Sequence, residues 1–335
     1  MAQVADGVFQ LKIPIPKNTL IPDGSLNYTL VYLIEEGKRL ILVDAGWNDD
    51  ISWKAFQAEL AAHHVSATDI GTVVITHFHP DHMGLAARVK EASGAEVLMH
   101  VKDASVPRED GHRHEEDSRS QGAHQANRRL GVPEEDAGRQ DSKYRRMGGI
   151  MPHFKVDRAV NEARTVVPGS ANLYAIWTPG HSPGHLVVHD ERRKLLFSGD
   201  HILPRISPNV SLSAWVKGDP LADYLTSLGQ TRALQADMVL PAHEHAFTDL
   251  AGRVDELLEH HRQRLAEAVE AVREGPRTPY QIAAKLTWDS NPWPEMSAGT
   301  RNMALMEAMA HLRLLINRRV LAREERDGVL YYRAL

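Results

Sequence analysis

The stretch THFHPDH, Thr76–His82, places four side chains of metal-binding type within six positions, directly after the apolar run VVI. His77 and His79 lie two apart in the turn that leaves a predicted strand, so both imidazoles can converge on one ion. Asp81 and His82 can reach a second ion a few ångströms away. This stretch therefore predicts the centre of a metal site at the end of a strand.

Three later strand ends supply what this cluster lacks. TPGH ends at His181, FSGD ends at Asp200 and LPAH ends at His243, and each follows an apolar run and a tight turn. Ligands from separate strand ends meet at one edge of a sheet. Asp200 is the natural bridge, because a carboxylate between two dications offsets their repulsion and has two oxygens to share.

A second interpretation concerns the segment around His181, WTPGHSPGHLVVHD, Trp177–Asp190. Its G-x-S-x-G spacing matches the nucleophile elbow of serine hydrolases, with Ser182 as the nucleophile. The elbow needs a backbone N–H on the next residue and a helix after it. Pro183 has no N–H, and HLVVHD has the β-branched content of a strand. We therefore expect Ser182 to be a turn residue and His181 a ligand.

The composition limits the classes of function. The chain has 335 residues, 42% hydrophobic content, 19 histidines and no cysteine, so disulfides, thiolate nucleophiles and Cys-bound zinc are excluded. Its formal net charge of −5 argues against a protein that mainly coats nucleic acid. No apolar run is long enough to span a bilayer and the start lacks an export signal, so we expect a cytoplasmic location.

The motif H-x-H-x-D-H, followed at a distance by His, Asp and His in that order, resembles the metallo-β-lactamase superfamily over about residues 5 to 250. The resemblance implies an α/β fold, a four-layer αββα sandwich with the site at one edge between the sheets. It implies two Zn²⁺ per chain, one held by His77, His79 and His181 and the other by Asp81, His82 and His243, with Asp200 bridging both. Iron or manganese suits the same ligands.

The implied chemistry is hydrolysis. Two zinc ions that share a water lower its pKa from 15.7 to about 7 or below, which produces a metal-bridging hydroxide without a side-chain base. This hydroxide attacks the carbonyl of a small ester, thioester or lactone. Asp81 is the expected catalytic residue, because it orients the hydroxide and carries its proton to the leaving group.

The finer resemblance is to the branch that includes β-lactamase-like protein 2 and related thioesterases. It rests on SGDHILPRISPNV, Ser198–Val210, on a charged and helix-prone insert at about 101–160, and on the chain after the sheet. We divide the chain into a catalytic domain, 1–252, and a C-terminal domain of winged-helix type, 253–335. The C-terminal part is predicted from an amphipathic helix, a helix capped by Thr278, and a hairpin turning at Asp327 and Gly328.

Other residues carry weaker predictions. Asp44 and His185 are expected to hydrogen-bond to ligands and fix their orientation, although a turn-capping Asp and a core histidine are the ordinary alternatives. Met151, in the insert segment MGGIMPHF, and Trp215 line either the substrate pocket or the core. The insert itself is either a solvated flap or a lid over the site.

The sequence leaves two other functions open. One is a metal-dependent endoribonuclease or phosphodiesterase whose winged helix binds single-stranded nucleic acid through a cluster of arginines, which are Arg313, Arg318, Arg319, Arg323 and Arg326. Interleaved acids and the absence of aromatic residues between these arginines favour a small-molecule substrate instead. The other is a DNA-binding regulator with a sensing metal domain, which a complete ligand set disfavours. A homodimer built on the winged helix is compatible with the sequence.

Overall fold

The computed structural model describes residues 1–16, 26–37, 39–106, 116–137, 152–212, 216, 218–289 and 291–335, without the side chains of 116–121 and 123. Met151 and Trp215 lie outside the described residues, so their role stays a prediction. The chain divides into two compact units. The first comprises Met1–Arg108, Ile150–Pro208 and Thr226–Val254, and the second comprises Glu109–Gly149, Asn209–Leu225 and Asp255–Leu335.

The first unit contains two β-sheets of mixed direction. The larger has seven strands in sequential order, namely β1 (Ala2–Ala5), β2 (Val8–Pro14), β3 (Tyr28–Glu36), β4 (Arg39–Val43), β5 (Ile70–Val74), β6 (Glu96–His100) and β7 (Arg158–Val160). Pairing is antiparallel from β1 to β4 and parallel from β4 to β7. The four parallel strands β4 to β7 therefore end at the same edge.

The smaller sheet has five strands in the order β12, β11, β10, β9, β8. Their bounds are β8 (Arg164–Val166), β9 (Leu173–Trp177), β10 (Leu186–Asp190), β11 (Leu195–Gly199) and β12 (Met238–Pro241). Among the described strands of this sheet, β11 and β12 pair parallel and the other neighbours pair antiparallel. This sheet carries the three later ligand candidates.

Helices occur in both units. They are α1 (Asp50–Ala61), α2 (Pro80–Met83), α3 (Ala86–Ser93), α4 (Val101–Ala104), α5 (Glu116–Arg129), α6 (Glu134–Ala137), α7 (Pro220–Arg232), α8 (Leu250–Ala271), α9 (Pro279–Ala283) and α10 (Ala298–Asn317). Short 3₁₀ turns occur at Ala67–Asp69 and Trp293–Glu295. Within the described part of the chain, no helix combines the length and the apolar content needed to cross a membrane.

The alternation of buried side chains explains the layers. In β3, Leu30 and Tyr32 belong to a core shared by the two sheets, whereas Val31 and Leu33 point to the opposite face. Tyr32 contacts Phe197 of β11 with 5.2 Å between ring centroids. The opposite face packs against α1 and α3. Because both faces of β3 are buried, the strand reads as a continuous apolar run, and the predicted α/β architecture of mixed sheets and helices is confirmed.

The C-terminal elements follow their sequence signals. Thr278 accepts a hydrogen bond from the Gln281 backbone in a capping box at the start of α9. Strands β13 (Leu321–Arg326) and β14 (Val329–Ala334) pair antiparallel, and Asp327 and Gly328 both adopt positive φ angles, 50° and 78°. This is the conformation of a two-residue hairpin turn. The second unit includes the chain from Asp255 onward together with Glu109–Gly149, the middle of the predicted insert, whose two ends belong to the first unit. The division into a catalytic and a C-terminal domain stays a prediction.

Candidate metal centre

All the predicted ligands lie at one edge of the two sheets, because each of them follows the carboxyl end of a strand. The segment Thr76–His82 follows β5, while His181, Asp200 and His243 follow β9, β11 and β12. Two backbone hydrogen bonds join the sheets here, from Leu186 to Thr76 at 2.8 Å and from Leu30 to Ala242 at 2.7 Å. The edge is therefore a fixed seam between the sheets.

The first group of ligand atoms consists of three histidine nitrogens. His79 Nδ1 lies 2.8 Å from His77 Nε2 and 3.0 Å from His181 Nε2. All three nitrogens lie within 4.8 Å of one another. The three residues predicted to share one ion are thus brought together.

The second group is formed by Asp81, His82 and His243, whose ligand atoms also lie within 4.8 Å of one another. Asp81 Oδ2 is 3.3 Å from His243 Nε2 and 3.6 Å from His82 Nε2. Asp200 lies between the groups, with Oδ2 3.7 Å from His181 Nε2 and Oδ1 3.4 Å from His243 Nε2. Its two oxygens therefore face both groups.

Several buried polar atoms at this edge have no hydrogen-bond partner among the described residues. They show whether the side chains present suit a metal ion. In the described ranges, His82 Nε2, His243 Nε2 and Asp200 Oδ1 are buried and find no hydrogen-bond partner. Such orphans are rare in folded proteins because each costs free energy. Nitrogen and oxygen donors that converge without hydrogen bonds suit a divalent cation of the zinc, iron or manganese type.

The Nδ1 atoms of His82 and His243 point away from the centre, and each hydrogen-bonds to an oxygen acceptor. His82 Nδ1 lies 2.8 Å from Asp44 Oδ2, and His243 Nδ1 lies 3.2 Å from the Tyr28 carbonyl oxygen. Carboxylate and carbonyl oxygens only accept, so each Nδ1 carries a proton and each Nε2 would be the atom that offers its lone pair to a bound cation. Asp44 thus lies where the sequence predicts it.

Thr76 extends this network, and sequence reasoning missed it. Its hydroxyl lies 2.9 Å from Asp44 Oδ2 and 3.0 Å from His77 Nδ1. Donating to the carboxylate leaves the hydroxyl oxygen to accept from His77, whose Nε2 then faces His79. The signal in the sequence was its place between the strand and the first histidine.

His185 lies behind Asp200. Its Nε2 accepts from the Asp200 backbone N–H at 3.2 Å, and its Nδ1 lies 3.0 Å from the Thr178 hydroxyl. A Cβ on Gly199 would stand 2.9 Å from His185 Nε2, and Gly199 has a φ of 52°. The glycine therefore allows the close approach that fixes the backbone of Asp200.

Burial and neighbouring charges shift the pKa values of the site residues in different directions. Burial, with the neighbouring His181, lowers the pKa of His79 to about 3. Burial alone would lower the pKa of His243, but the Asp200 and Asp81 carboxylates outweigh it and raise that pKa to about 10. Burial likewise raises the pKa of Asp81, yet His82 and His243 bring it to about 2. Without a cation, the second group is thus an array of ionised partners.

Ser182 does not take the place of a nucleophile. It is fully buried, its hydroxyl donates to Asp103 Oδ2 at 2.6 Å, and the next element is the strand β10. The G-x-S-x-G match is therefore a turn, as the sequence predicts.

A family model described as the metallo-beta-lactamase superfamily matches residues 24–243. The chain belongs to the metallo-β-lactamase superfamily. Every predicted ligand, from His77 to His243, lies within the matched residues. The predicted resemblance is confirmed, and the chain is a metal-dependent hydrolase of this superfamily.

Curated relatives of this metallo-β-lactamase superfamily member include a probable metallo-hydrolase, YqjP, of Bacillus subtilis, 25% identical over 98% of both chains. A beta-lactamase-like protein 2 homolog of Caenorhabditis elegans is 25% identical over 84% of this chain and 78% of its own. An atrochrysone carboxyl ACP thioesterase of Aspergillus fumigatus is 22% identical over 76% of this chain and 46% of its own.

The similarity to a solved structure covers the whole of this superfamily member's chain. A beta-lactamase domain protein from Burkholderia ambifaria is 28% identical with a TM-score of 0.82, over 100% of this chain and 94% of that one. The residues after the family match, 244–335, are therefore also part of a fold that another protein shares.

Proposed function

We propose that this chain is a dinuclear, zinc-dependent hydrolase that cleaves a small ester, thioester or lactone. The observation that carries the proposal is the place of Asp200, whose oxygens lie 3.4 Å from His243 Nε2 and 3.7 Å from His181 Nε2. A carboxylate that faces two groups of nitrogen ligands is suited to bridge two cations. The superfamily membership supports the same conclusion.

In this proposal, His77, His79 and His181 would hold one cation, Asp81, His82 and His243 would hold the other, and Asp200 would be available to both. When bound, the cation pair supplies a hydroxide nucleophile at neutral pH and polarises the carbonyl oxygen of the substrate. Asp81 is proposed as the proton carrier, because its carboxyl is ionised at neutral pH and lies in the second group of ligands, 3.3 Å from His243 Nε2. In this role it delivers a proton to the leaving oxygen or sulfur.

The substrate class is proposed from chemistry and from one relative. The relative from Aspergillus fumigatus is named as a thioesterase, which supports an acyl ester or thioester as the substrate. The chain has no cysteine, and its candidate serine nucleophile is buried and donates to a carboxylate. A covalent acyl-enzyme on either residue type is therefore not part of the proposal.

We also propose that the C-terminal domain, 253–335, is a winged helix, supported by the order of α8, α9, α10 and the hairpin of β13 and β14. Its proposed role is dimerisation rather than nucleic-acid binding. Arg326 pairs with Glu324, and Arg129 lies 3.0 Å from Glu325, so carboxylates of the wing neutralise part of the basic charge. The cytoplasmic location stays a prediction.

The test is a panel of substrates offered side by side to the zinc-loaded protein: an acyl thioester, a simple ester, a lactone, a β-lactam and a short single-stranded RNA. We expect turnover of one of the first three that stops in the Asp200→Ala variant. Cleavage of RNA alone, stopped by the same substitution, would replace the proposal with the nuclease function.

A further inference from the structure

A buried acid, Asp103, lies beside the metal centre without belonging to either group of ligands. It is part of α4, directly after β6, and it is fully buried. Its carboxylate is the only part of the side chain able to form hydrogen bonds, and it only accepts when ionised.

Three donors reach this carboxylate. The Gly184 backbone N–H donates to Oδ1 at 2.5 Å, and the Ser182 hydroxyl donates to Oδ2 at 2.6 Å. The Phe78 backbone N–H donates to Oδ2 at 3.2 Å. Hydrogen bonds to an ionised acceptor are about twice as strong as those between neutral groups. The three donors are therefore held firmly at the Asp103 carboxylate, and we call this arrangement the junction.

The donors belong to the two loops that carry the first group of ligands. Phe78 lies between His77 and His79 in the loop after β5. Ser182 is the next residue after His181, in the loop between β9 and β10. One carboxylate thus joins a loop of the larger sheet to a loop of the smaller sheet, on either side of the three histidines.

Gly184 shows how closely the second loop approaches. A Cβ at this position would lie 2.7 Å from both the backbone nitrogen and Oδ1 of Asp103. A side chain there would force the loop away from α4 and lengthen the bond to the carboxylate. The absence of a side chain therefore belongs to the same junction.

We propose that Asp103 is a positioning residue that sets the distance between His79 and His181 by tying their loops together. The inference rests on the proposed function, since the positioned atoms are those that would hold the first cation. Metal affinity depends on carboxylates that orient ligand-bearing groups, and their loss costs about 10- to 100-fold in affinity. Asparagine at 103 would place an NH₂ group where one of the three donors now points.

The experiment measures the dissociation constants of Zn²⁺ by competition with a chromophoric chelator, and the absorption spectrum of the Co²⁺-substituted protein. The variants are wild type, Asp103→Asn and Asp190→Asn. Asp190 is the matched control, because it is also fully buried and accepts from the Arg192 and Arg193 backbones and the Arg193 guanidinium. It ends β10 at the far end from His185.

We expect the tighter-binding step in Asp103→Asn to weaken by about 10- to 100-fold with an altered Co²⁺ spectrum, while Asp190→Asn stays within about 3-fold of wild type. Equal affinities in Asp103→Asn and wild type would overturn the inference. Equal weakening in both variants would also overturn it, because it would reflect general loss of stability. A wild-type protein that binds neither ion would overturn the proposed function itself, and the inference with it.

A second variant covers the case in which Asp103→Asn does not fold. Ser182→Ala removes one of the three donors and leaves the carboxylate with the Phe78 and Gly184 backbone donors. We expect its Zn²⁺ affinity to fall by a smaller factor, about 3- to 10-fold, with activity recovered at saturating Zn²⁺. An affinity equal to that of wild type would overturn the inference.

Discussion

The carboxylate of Asp44 accepts a hydrogen bond from the His82 imidazole over 2.8 Å, between Oδ2 and Nδ1. Both residues are buried, and the other carboxylate oxygen accepts from the Thr76 backbone N–H at 2.8 Å. His82 is thereby held with Nε2 toward Asp81 and Asp200. The tautomer and orientation of a ligand are thus decided by an acid on a different strand end.

Asp44→Asn should therefore weaken metal binding without unfolding the protein. The amide NH₂ of asparagine would face either the His82 N–H or the Thr76 N–H, and one hydrogen bond is lost. We expect the affinity of the weaker-binding ion to fall by about 10- to 100-fold, measured by chelator competition. Asp157→Asn is the control, since Asp157 accepts from the Val97 backbone at a distance from the ligands. A metal affinity equal to that of the control would contradict the role given to Asp44.

Removing the metals should lower thermal stability. Binding to the native state alone adds RT ln(1 + [L]/Kd), about 2.7 kcal/mol when the free ion is present at 100 times Kd. We expect the chelated protein to unfold at a lower temperature and Zn²⁺ to restore the transition, measured by scanning calorimetry. His79→Ala should show a smaller rise with Zn²⁺. A rise as large as that of wild type would remove His79 from the ligand set.

The Ser182→Ala variant distinguishes between two roles of Ser182, a turn residue and a nucleophile. The hydroxyl donates to Asp103 and has no role in bond cleavage in this account. At saturating Zn²⁺ we expect kcat within about 3-fold of wild type on the best substrate of the panel. An inactive variant that still holds its full complement of metal would restore the serine-hydrolase interpretation.

The raised pKa of Glu307 predicts that the stability of the second unit depends on pH. Burial, with Asp289 nearby, raises the pKa of Glu307 from 4.5 to about 8, although Asn209 donates to its Oε2 at 2.9 Å. The native state therefore keeps a proton that the unfolded chain loses between these two values. Stability should fall as pH rises through this window, by at most about 1.4 kcal/mol per pH unit.

Glu307→Gln should remove that slope, because glutamine is neutral at every pH in the window. The measurement is urea unfolding at about pH 5.5 and about pH 7.5, with a smaller pH effect expected in the variant than in wild type. Glu270→Gln is the control, since Glu270 is exposed on α8 and pairs with Arg273. The same pH effect in wild type and Glu307→Gln would show that Glu307 is ionised in the native protein.

The parts of the site that were predictable from the sequence share a local signal. The loop Thr76–His82, His181, Asp200 and His243 each combine an apolar strand, a turn and a ligand-type residue. Such a pattern lies within a few consecutive residues, and parallel strand ends converge at one edge. The same apolar runs predicted strands, whereas the two-sheet sandwich was implied by the family resemblance.

Tertiary contacts explain what sequence reasoning missed. Asp103 lies in a short helix at the start of a charged insert, and its partner Ser182 is 79 residues away. On α10, Glu307 and His311 are buried together with apolar residues of the same helix. Burial of this kind depends on what packs against a residue and leaves no periodic signal in its own helix.

Metal content measured together with turnover tests the central claim most directly. We predict close to two divalent ions per purified chain by elemental analysis, and hydrolysis that stops after chelation and returns when Zn²⁺ is added back. His79→Ala and Asp200→Ala should each abolish turnover. A protein that remains fully active when both ions have been removed would contradict the account.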